Sequence, residues 1–423
     1  MKPEIKQRIE QIKGGQVPGG YKKTKEGIIP TEWEYCTISD CLEKVDAPVR
    51  VEADKVYTQI GIRSHGKGLF YKEPVTGKEL GNKSVFWIEP NCFVLNIVFA
   101  WEQAFGKTTN SEVGMIASHR FPMYRPINNL ADLDYLVCYF LTKRGTDILD
   151  AASPGGAGRN RTLGQDRFIK SKIMLPPIHE QQKITEILSA QDKLIALKEK
   201  LLEEKKKQKK YLMQQLLTGK KRLPGFSGEW KKQKMSDILR ERKEENVDQS
   251  LRICSVAVST GVVDQMEHLG KSMAAADTSN YNVVHYGDVV YTKSPTGSFP
   301  FGIVKQSQLD EKVAVSPLYG VYEPKLYELG YLLNEYFMYS NNTNGYLLPI
   351  VNKGAKNTIN ISNQTFIKPS MFLPVDDKEI VALARIFKVA NTEIDILSKE
   401  LEQEKQKKKA LMQLLLTGIV RVD

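Results

Sequence analysis

The sequence predicts two similar α+β domains, each followed by a long helix, as an internal duplication of one architecture. Three observations predict this fold class. The phrase LMQQLLTG (212–219) returns 199 residues later as LMQLLLTG (411–418), each time after a run of lysines. Other matches keep the same order and nearly the same offset, such as FIKSKIMLPP from Phe168 with FIKPSMFLPV from Phe366. Between the helices, β-branched and aromatic runs are split by Gly, Pro and Asn, which is typical of short strands and turns.

The first 32 residues form a segment of their own before the first domain. MKPEIKQRIEQIKGG is charged throughout, so it is not a signal peptide. Its isoleucines, at positions 5, 9 and 12, recur at the three- and four-residue steps of an amphipathic helix. We therefore expect a short N-terminal helix in residues 1–32.

The two domains are expected at 33–175 and 220–373. Trp33 of EWEYCTISD matches Trp230 of EWKKQKMSD, near the start of each domain. Strands are expected in runs such as FVLNIVFAW (93–101) and NVVHYGDVVYTK (282–293), and a helical stretch at 131–145 recurs loosely at 325–340. These bounds give domains of about 140 to 155 residues, an ordinary size for one hydrophobic core.

Two long helices are expected at 176–219 and 374–423. Each follows proline and ends near glycine, and about 40 residues at ~1.5 Å each give a rod of roughly 60 Å. Such a rod cannot bury its apolar stripe alone, so we expect the two helices to pack on each other; the alternative is that each packs on its own domain. Gln191 and Lys198 interrupt the first stripe. The expected seam consists of Ile184, Leu188, Ile195, Leu202, Leu212, Leu216, Ile380, Leu383, Phe387, Ile394, Leu397, Leu401, Leu411 and Leu415.

Composition narrows the cellular setting and the class of partner. The chain has 423 residues and a net charge of +11, which favours polyanions, most commonly nucleic acid, unless the protein is merely soluble and basic. Its five cysteines are odd in number and include no C-x-x-C, which indicates a reducing compartment. No window of about 18 apolar residues occurs, so we expect no membrane span and a cytoplasmic protein.

Motifs of catalysis are missing from the sequence. It contains no phosphate-binding G-x-x-x-x-G-K-[ST], no H-E-x-x-H and no G-x-S-x-G, and it lacks the N/D-P-P-aromatic tetrad of amino-methyltransferases. The five histidines show no metal-ligand spacing. We therefore expect no catalytic site, no metal and no cofactor in this chain.

Two similar domains joined by a rod can contact two separated points on duplex DNA, whose backbone is itself two-fold symmetric. The positive charge would supply the phosphate contacts, and Arg, Lys, Asn or Gln would read base edges. Such side chains stand in glycine-punctuated loops, although any one of them is more often an ordinary solvated residue. The candidates are Arg63, His65, Lys67, Arg159, Asn160 and Arg161 in the first domain, and Lys293, Ser294, Thr296, Ser298, Lys353, Lys356 and Asn357 in the second.

Several motifs together resemble the specificity (S) subunit of type I restriction–modification systems. They are LPPIHEQQKITEIL (175–188), its weaker copy LPVDDKEIVALARIF (373–387), GYKKTKEGIIPTEW (20–33), its echo LPGFSGEW (223–230) and the two LLTG helix ends. The second copy departs from the family pattern, because Val375 replaces a proline and the Glu-Gln pair is missing.

This resemblance implies that the two domains are target recognition domains, each reading one half of a bipartite DNA target. The long helices would form an antiparallel coiled coil that sets the gap between the halves and relates the domains by a pseudo-two-fold axis, with the N-terminal segment packed beside them. Two methyltransferase (M) subunits, which bind S-adenosylmethionine, would dock on the chain. Restriction (R) subunits, which use ATP and Mg²⁺, would complete the complex.

Two other classes of function stay open on sequence grounds. One is a structural coiled-coil scaffold without a DNA role, which salt-sensitive DNA binding would exclude. The other is a fused methyltransferase–nuclease, which the missing motifs disfavour. Within the DNA-reading class, the chain could also serve a different defence system.

Overall fold

The computed structural model describes residues 3–25, 27–155, 161–270, 274–353 and 359–422. The chain divides into two compact units: unit 1 comprises residues 1–198 and 400–423, and unit 2 comprises residues 199–399. Each unit takes a part of both long helices, whereas the sequence-based division treated the helices as separate segments.

Unit 1 is an α+β unit whose short strands alternate with short helices before one long helix begins. The strands keep to β-branched and aromatic stretches, as expected from their packing on a half-buried surface. Two 3-10 turns lie at Ala100–Glu102 and Asn110–Glu112. In chain order the elements are α1 (Pro3–Lys13), β1 (Tyr21–Thr24), β2 (Gly27–Pro30), β3 (Glu34–Thr37), α2 (Ile38–Cys41), β4 (Leu42–Val45), β5 (Val56–Tyr57), β6 (Ile60–Ile62), β7 (Leu69–Tyr71), β8 (Val75–Thr76), α3 (Gly77–Leu80), β9 (Val85–Trp87), β10 (Phe93–Leu95), β11 (Phe105–Lys107), β12 (Ile116–Ser118), β13 (Met123–Pro126), α4 (Leu133–Phe140), α5 (Lys143–Ala152), α6 (Gln165–Lys170), β14 (Lys172–Leu175) and α7 (Ile178–Leu216).

A four-stranded antiparallel sheet in the order β11-β10-β13-β4 lies at the centre of unit 1. Phe93 pairs with Lys107 on one side and with Tyr124 on the other. Its ring packs against those of Phe105 and Phe140, and all three are fully buried. The core therefore forms where the sheet meets α4 and the helices that follow it.

Unit 2 repeats this plan. The elements are β15 (Trp230–Lys234), α8 (Met235–Ile238), β16 (Leu239–Glu241), β17 (Cys254–Ala257), β18 (Gly261–Asp264), α9 (Gln265–Leu269), β19 (Asn282–Val284), β20 (Val289–Tyr291), β21 (Val304–Gln306), β22 (Val313–Val315), β23 (Gly320–Pro324), α10 (Tyr327–Phe337), α11 (Ser340–Leu347), β24 (Asn352–Lys353), β25 (Ile359–Asn360), α12 (Asn363–Phe366), β26 (Ser370–Pro374) and α13 (Asp377–Leu415), with a 3-10 turn at Leu348–Ile350.

The central sheet of unit 2 has the order β21-β20-β23-β16, which is the order of unit 1 element for element. Further pairs repeat as well: β9–β12 as β19–β22, β6–β7 as β17–β18, and β3–β14 as β15–β26. The helices that follow the sheet, α4 and α5, recur as α10 and α11. The predicted duplication into two α+β units is confirmed at the level of strand order.

The long helices pair antiparallel inside each unit. In unit 1, the side-chain amide of Gln191 donates to Glu404 at 2.7 Å, and the ammonium of Lys198 lies 2.7 Å from Glu400. The residue number thus rises along α7 as it falls along α13. In unit 2, Lys205 lies 2.6 Å from Glu393. Both helices contain 39 residues, and their antiparallel contact confirms the predicted fold class.

Seam residues and off-seam residues differ in exposure. None of the predicted seam positions is exposed, and most near the helix ends are fully buried. Leu194, Leu197 and Leu201, which lie off the predicted seam, are exposed. Gln191 and Lys198, which interrupt the apolar pattern, are accommodated because each meets a carboxylate of the opposite helix.

Three side chains, Trp33, Glu180 and Arg421, close unit 1 where α7 begins and α13 has ended. The buried Glu180 carboxylate accepts a hydrogen bond from the Trp33 indole at 3.0 Å. Arg421 donates to both of its oxygens, at 3.2 and 3.0 Å, and these bonds raise the pKa of the guanidinium. We call this arrangement the Trp–Glu–Arg clasp.

Unit 2 has the same clasp, built from Trp230, Glu379 and Arg222. The Trp230 indole donates to Glu379 at 3.2 Å, and Arg222 donates to both carboxylate oxygens at 2.8 and 2.6 Å. Glu379 therefore takes the place of Glu180, although the Glu-Gln pair itself is missing from the second copy because Ile380 follows Glu379. The extra residue between Pro374 and Glu379 hides the match when the two segments are compared without a gap.

A left-handed glycine follows the end of each long helix and precedes the clasp arginine by three residues. Gly219 and Gly418 have φ of 70° and 71°. A Cβ on Gly418 would lie 2.6 Å from Pro30, and one on Gly219 would lie 3.1 Å from Trp230. Glycine is thus required for both conformation and space. The helix expected to run through 374–423 ends at Leu415. The residues after it belong to unit 1 and supply its clasp arginine.

The N-terminal helix α1 is connected through Tyr21 to the end of unit 1 that holds the clasp. The Arg8 guanidinium lies over the Tyr21 ring, and the Tyr21 hydroxyl donates to the carbonyl of Ile419 at 3.2 Å. No described residue of α1 is fully buried. Packing of residues 1–32 beside the long helices stays a prediction.

Candidate nucleic-acid interface

The first group of predicted DNA contacts lies in the hairpin between β6 and β7. Arg63, His65 and Lys67 alternate along this turn and are all exposed, and none forms an ion pair with another described residue. His65 and the glycines that flank Lys67 have positive φ, which gives the turn its tight path. Arg63 donates to the carbonyl of Leu69 and lies over the Phe70 ring, so its guanidinium is partly oriented before any ligand binds.

A second loop, residues 96–104 between β10 and β11, supports this hairpin. The backbone amides of His65 and Gly66 donate to the carbonyls of Glu102 and Gln103 at 2.8 and 2.9 Å. Gln103 is itself left-handed, and its side chain donates to Thr146 of α5. The hairpin is therefore fixed on the rest of unit 1.

Arg161 meets this second loop from the other side. Its guanidinium lies 5.3 Å from the Trp101 ring centre, donates to the carbonyls of Ser153 and Asp150, and pairs with the Asp150 carboxylate at 3.1 Å. Most of its donors are thus engaged at the end of α5. Its role as a base reader stays a prediction, and its neighbours Arg159 and Asn160 lie outside the described residues.

Trp101 is a residue that sequence reasoning missed. It links the predicted positions 63–67 and 161, because its loop carries the hairpin and its ring lies beneath Arg161. The available signal was a tryptophan at the end of the run 93–101, which was expected to contain strands and turns. Phe93–Leu95 is the strand of this run, and the chain turns before Trp101.

The corresponding group in unit 2 lies between β20 and β21. Ser294, Thr296 and Ser298 are exposed, and Thr296 and Phe299 exchange backbone hydrogen bonds across a tight turn. Asn344 of α11 donates to the carbonyl of Ser298 at 3.2 Å, which ties the turn to the helix. Lys293 is half-buried, and that burial lowers the pKa of its ammonium, although Glu241 opposes the shift.

The two predicted groups do not occupy equivalent places. The hairpin with Arg63 connects β6 and β7, whose counterpart in unit 2 is β17–β18. The turn with Ser294 connects β20 and β21, whose counterpart is the loop of Trp101. The other pair of loops, 155–161 and 353–358, follows the second short helix of its unit in chain order.

Part of this last pair is outside the described residues. Lys353 lies in β24, which pairs with β25. Lys356 and Asn357 lie outside the described residues. All these positions stay predictions as DNA contacts.

Some basic residues elsewhere in the described chain form ion pairs or charged hydrogen bonds within their own unit. In unit 2 Arg242 forms two hydrogen bonds with the buried Asp288, and His285 and Lys312 both contact Glu244. On the long helices, the lysine-rich stretches 198–210 and 404–409 contribute ion pairs such as Lys209–Glu335 and Lys408–Asp192. These contacts favour a structural role for the paired lysines over direct phosphate contact.

Metal-binding and membrane-spanning features were searched in the described part of the chain. Its His, Cys, Asp and Glu side chains form no group of three or more that could hold a metal ion. None of its helices combines the length and the apolar character needed to cross a bilayer.

Comparison with known proteins finds one family model that matches part of the chain, and solved structures of similar fold. The family described as type I restriction modification DNA specificity domain matches residues 30–235. A relative from Methanocaldococcus jannaschii, named as the MjaX specificity subunit of a type I restriction enzyme, is 26% identical over 213 residues. That match covers 47% of this chain and 48% of the relative, so it spans about half of either protein.

Solved structures resemble the chain over nearly its whole length. The HsdS subunit from Thermoanaerobacter tengcongensis superposes with a TM-score of 0.53 at 15% identity, covering 93% of this chain and 98% of that one. The S subunit of a type I restriction-modification system from M. genitalium gives a TM-score of 0.53 at 12% identity, covering 95% and 99%. At such low identity these likenesses show the fold.

Proposed function

We propose, from the match of residues 30–235 to the family described as type I restriction modification DNA specificity domain, that the chain is the DNA-reading subunit of a type I restriction–modification complex. Each unit reads one half of a bipartite duplex target, and the paired helices set the gap between the halves. The chain itself carries out no catalysis.

The observation that carries this proposal is the repetition of one α+β unit within a single chain. The sheet order is the same in both units, and the same Trp–Glu–Arg clasp closes each of them. Two copies of one reading surface, held on paired rods, suit a ligand that offers two separated contact sites on one backbone.

In unit 1, the reading surface includes the hairpin with Arg63, His65 and Lys67 and the loop that carries Trp101. In unit 2 it includes the turn with Ser294, Thr296 and Ser298. Loops on a rigid scaffold are the usual location of binding residues, and the net charge of +11 supports phosphate contact.

The partners follow from the family. Two methyltransferase subunits dock on the chain and bring S-adenosylmethionine for transfer to the N6 of adenine. Restriction subunits bring ATP-dependent translocation and Mg²⁺-dependent cleavage. These cofactors belong to the partners, and the complex acts in the cytoplasm.

Affinity selection of random duplex DNA by the full chain tests the reading function. The enriched sequences should contain two short specified blocks at one constant spacing, and binding should weaken steeply with salt. A structural scaffold without a DNA role would enrich no sequence, and a reader of another type would enrich one continuous block.

A further inference from the structure

An open cavity of ≈ 790 Å³ lies within unit 2, and its lining does not include the turn proposed to read DNA. It is lined by residues of β21, α10, the turn of the β17–β18 hairpin, and the parts of α7 and α13 that belong to this unit. Its volume falls in the range of small-molecule sites, about 300–1,000 Å³. The duplicated strand order does not require such a cavity, so the residues that line it need a separate explanation.

Lys305 of β21 is the unusual residue of this cavity. The side chain is only 4% exposed, yet the hydrogen-bond acceptor it meets among the described residues is the thioether sulfur of Met338. A thioether is a weak acceptor, and a buried ammonium without oxygen partners is costly. That burial lowers the pKa of Lys305 to about 8.

The buried carboxylate of the cavity does not neutralise Lys305. Glu335 is 2.6 Å from the ammonium of Lys209 and accepts a hydrogen bond from Asn391 at 2.9 Å. Its charge raises the pKa of Lys305 somewhat, whereas the charge of Lys209 lowers it. Lys305 therefore stays a cation in need of an oxygen ligand.

The other groups around the cavity suit an anion. Lys206 of α7 lines it and forms no ion pair with another described residue, and the hydroxyls of Ser259 and Thr260 lie at the hairpin turn. Of the remaining titratable groups that line it, Tyr331 of α10 and Tyr339 at the start of α11 are neutral near pH 7, and Asp395 of α13 is the opposing charge.

We propose that Lys305 anchors a small oxyanion, of the phosphate or sulfate class, in this cavity. The ammonium supplies a charge-assisted hydrogen bond, with Lys206 and the two hydroxyls as further donors. The bound ion lies where β21, α7 and α13 meet, so its binding stabilises this part of unit 2. The source is a free anion and not a DNA phosphate, because an ammonium this deeply buried cannot reach a duplex backbone.

Calorimetric titration of the full chain with sodium sulfate at constant ionic strength tests the proposal. One ion should bind at pH 7, and Lys305→Met should weaken binding about tenfold or more, as expected for loss of a charged hydrogen bond. Lys232→Met, which removes the same charge from an exposed site on β15, is the matched control and should leave binding unchanged. Equal sulfate binding by Lys305→Met and by the native chain would overturn the proposal. Hydration of the buried amine would then explain how Lys305 is accommodated.

The pH dependence tests the same idea without relying on the folding of one variant. Sulfate keeps its charge from pH 6 to 10, so any titration belongs to the protein. Its affinity should be constant below about pH 7 and fall about tenfold per pH unit above 8. In Lys305→Arg, whose guanidinium stays charged, the sulfate affinity should not change over this pH range. A flat profile in the native chain contradicts the proposal.

A final arm separates the free anion from DNA. The salt dependence of duplex binding should be the same for the native chain and Lys305→Met. A salt slope reduced by about one contact, together with unchanged sulfate binding, would mean that Lys305 contacts the DNA backbone, and the proposal would be wrong.

Discussion

At the scale of single residues, the clasps explain how each unit is closed by groups far apart in the chain. Glu180 and Glu379 are 0% and 1% exposed. Each satisfies its charge with one indole and one bidentate arginine. A buried carboxylate requires such partners because an unpaired charge away from water is strongly unfavourable.

Replacing Glu379 with Gln should lower the free energy of unfolding by about 2–4 kcal/mol, because the bidentate arginine pair is lost and Arg222 is left partly buried. Chemical denaturation measures the loss. Hydrogen exchange should rise in the β15–β26 pair and stay unchanged in β3–β14. Glu180→Gln should produce the reverse pattern.

Glu229→Gln is the matched control, since it stands beside Trp230 but its carboxylate is 77% exposed. It should change stability by less than about 0.5 kcal/mol. A comparable loss in this control, or equal exchange in both strand pairs, would show that the clasp is not what closes each unit.

The lowered pKa of Lys305 predicts how the stability of the chain depends on pH. Its pKa is about 8 in the folded chain, below the ordinary 10.5, so between these values the unfolded chain holds a proton that the folded chain lacks. The native chain therefore gains stability as pH rises from 8 to 10.5. In sulfate-free buffer, Lys305→Met should be more stable at pH 7, by on the order of 2–3 kcal/mol. Denaturation at several pH values should show the difference shrinking above pH 8; a constant difference would contradict it.

At the scale of elements, the helix pair combines apolar ends with polar contacts near its middle. Leu188 and Leu415 lie in the core of unit 1, and Leu383 and Phe387 in the core of unit 2. Between them, contacts such as Gln191–Glu404 and Lys205–Glu393 fix the register. Polar groups inside a seam specify alignment at some cost in stability.

Lengthening both helices by one heptad should widen the DNA gap. The paired segments 196–202 and 396–402 would each be duplicated, which keeps the seam and adds about 10 Å, close to three base pairs. Mapping of methylated sites should show both half-sites unchanged and a longer gap. An unchanged gap would contradict the role of the helices as a spacer.

An insertion after Leu217 would be a poorer test. Leu217 is buried in the core of unit 2, and Gly219 packs directly against Trp230. Added residues there would disturb the clasp before they could extend the helix. Duplication in one helix alone is the better control, because it breaks the paired contacts and should abolish binding.

At the scale of the whole molecule, each unit has a junction equivalent to one in the other unit. At these junctions, the segment proposed to read DNA can be exchanged. The amide of Ile38 donates to Ser171 at 2.9 Å, and the amide of Met235 donates to Pro369 at 2.9 Å. Replacing residues 38–171 with 235–369 should therefore leave the clasps and long helices intact.

The target of this chimera should consist of two copies of one half-site at the original spacing. Selection of random duplex DNA measures it, with the native chain as the reference. Retention of the first half-site, or an asymmetric target, would show that recognition is not confined to the exchanged segments.

Much of the architecture could be predicted from the sequence because it is local or repeated. The helix seams follow from apolar spacing, and the duplication follows from matched phrases such as FIKSKIM and FIKPSMF. The clasps could not be predicted in this way, since Arg421 meets a glutamate 241 positions earlier in the chain. The engagement of Arg161 by Asp150 and Trp101 likewise depends on how α5 packs, which a single sequence does not specify.

The most direct measurement is a genome-wide map of N6-methyladenine in DNA modified by this chain together with a type I methyltransferase partner. The account predicts one bipartite motif, with two short specified halves at a single constant spacing and a methylated adenine in each half. A continuous motif, a variable spacing or no methylation dependent on this chain would contradict it.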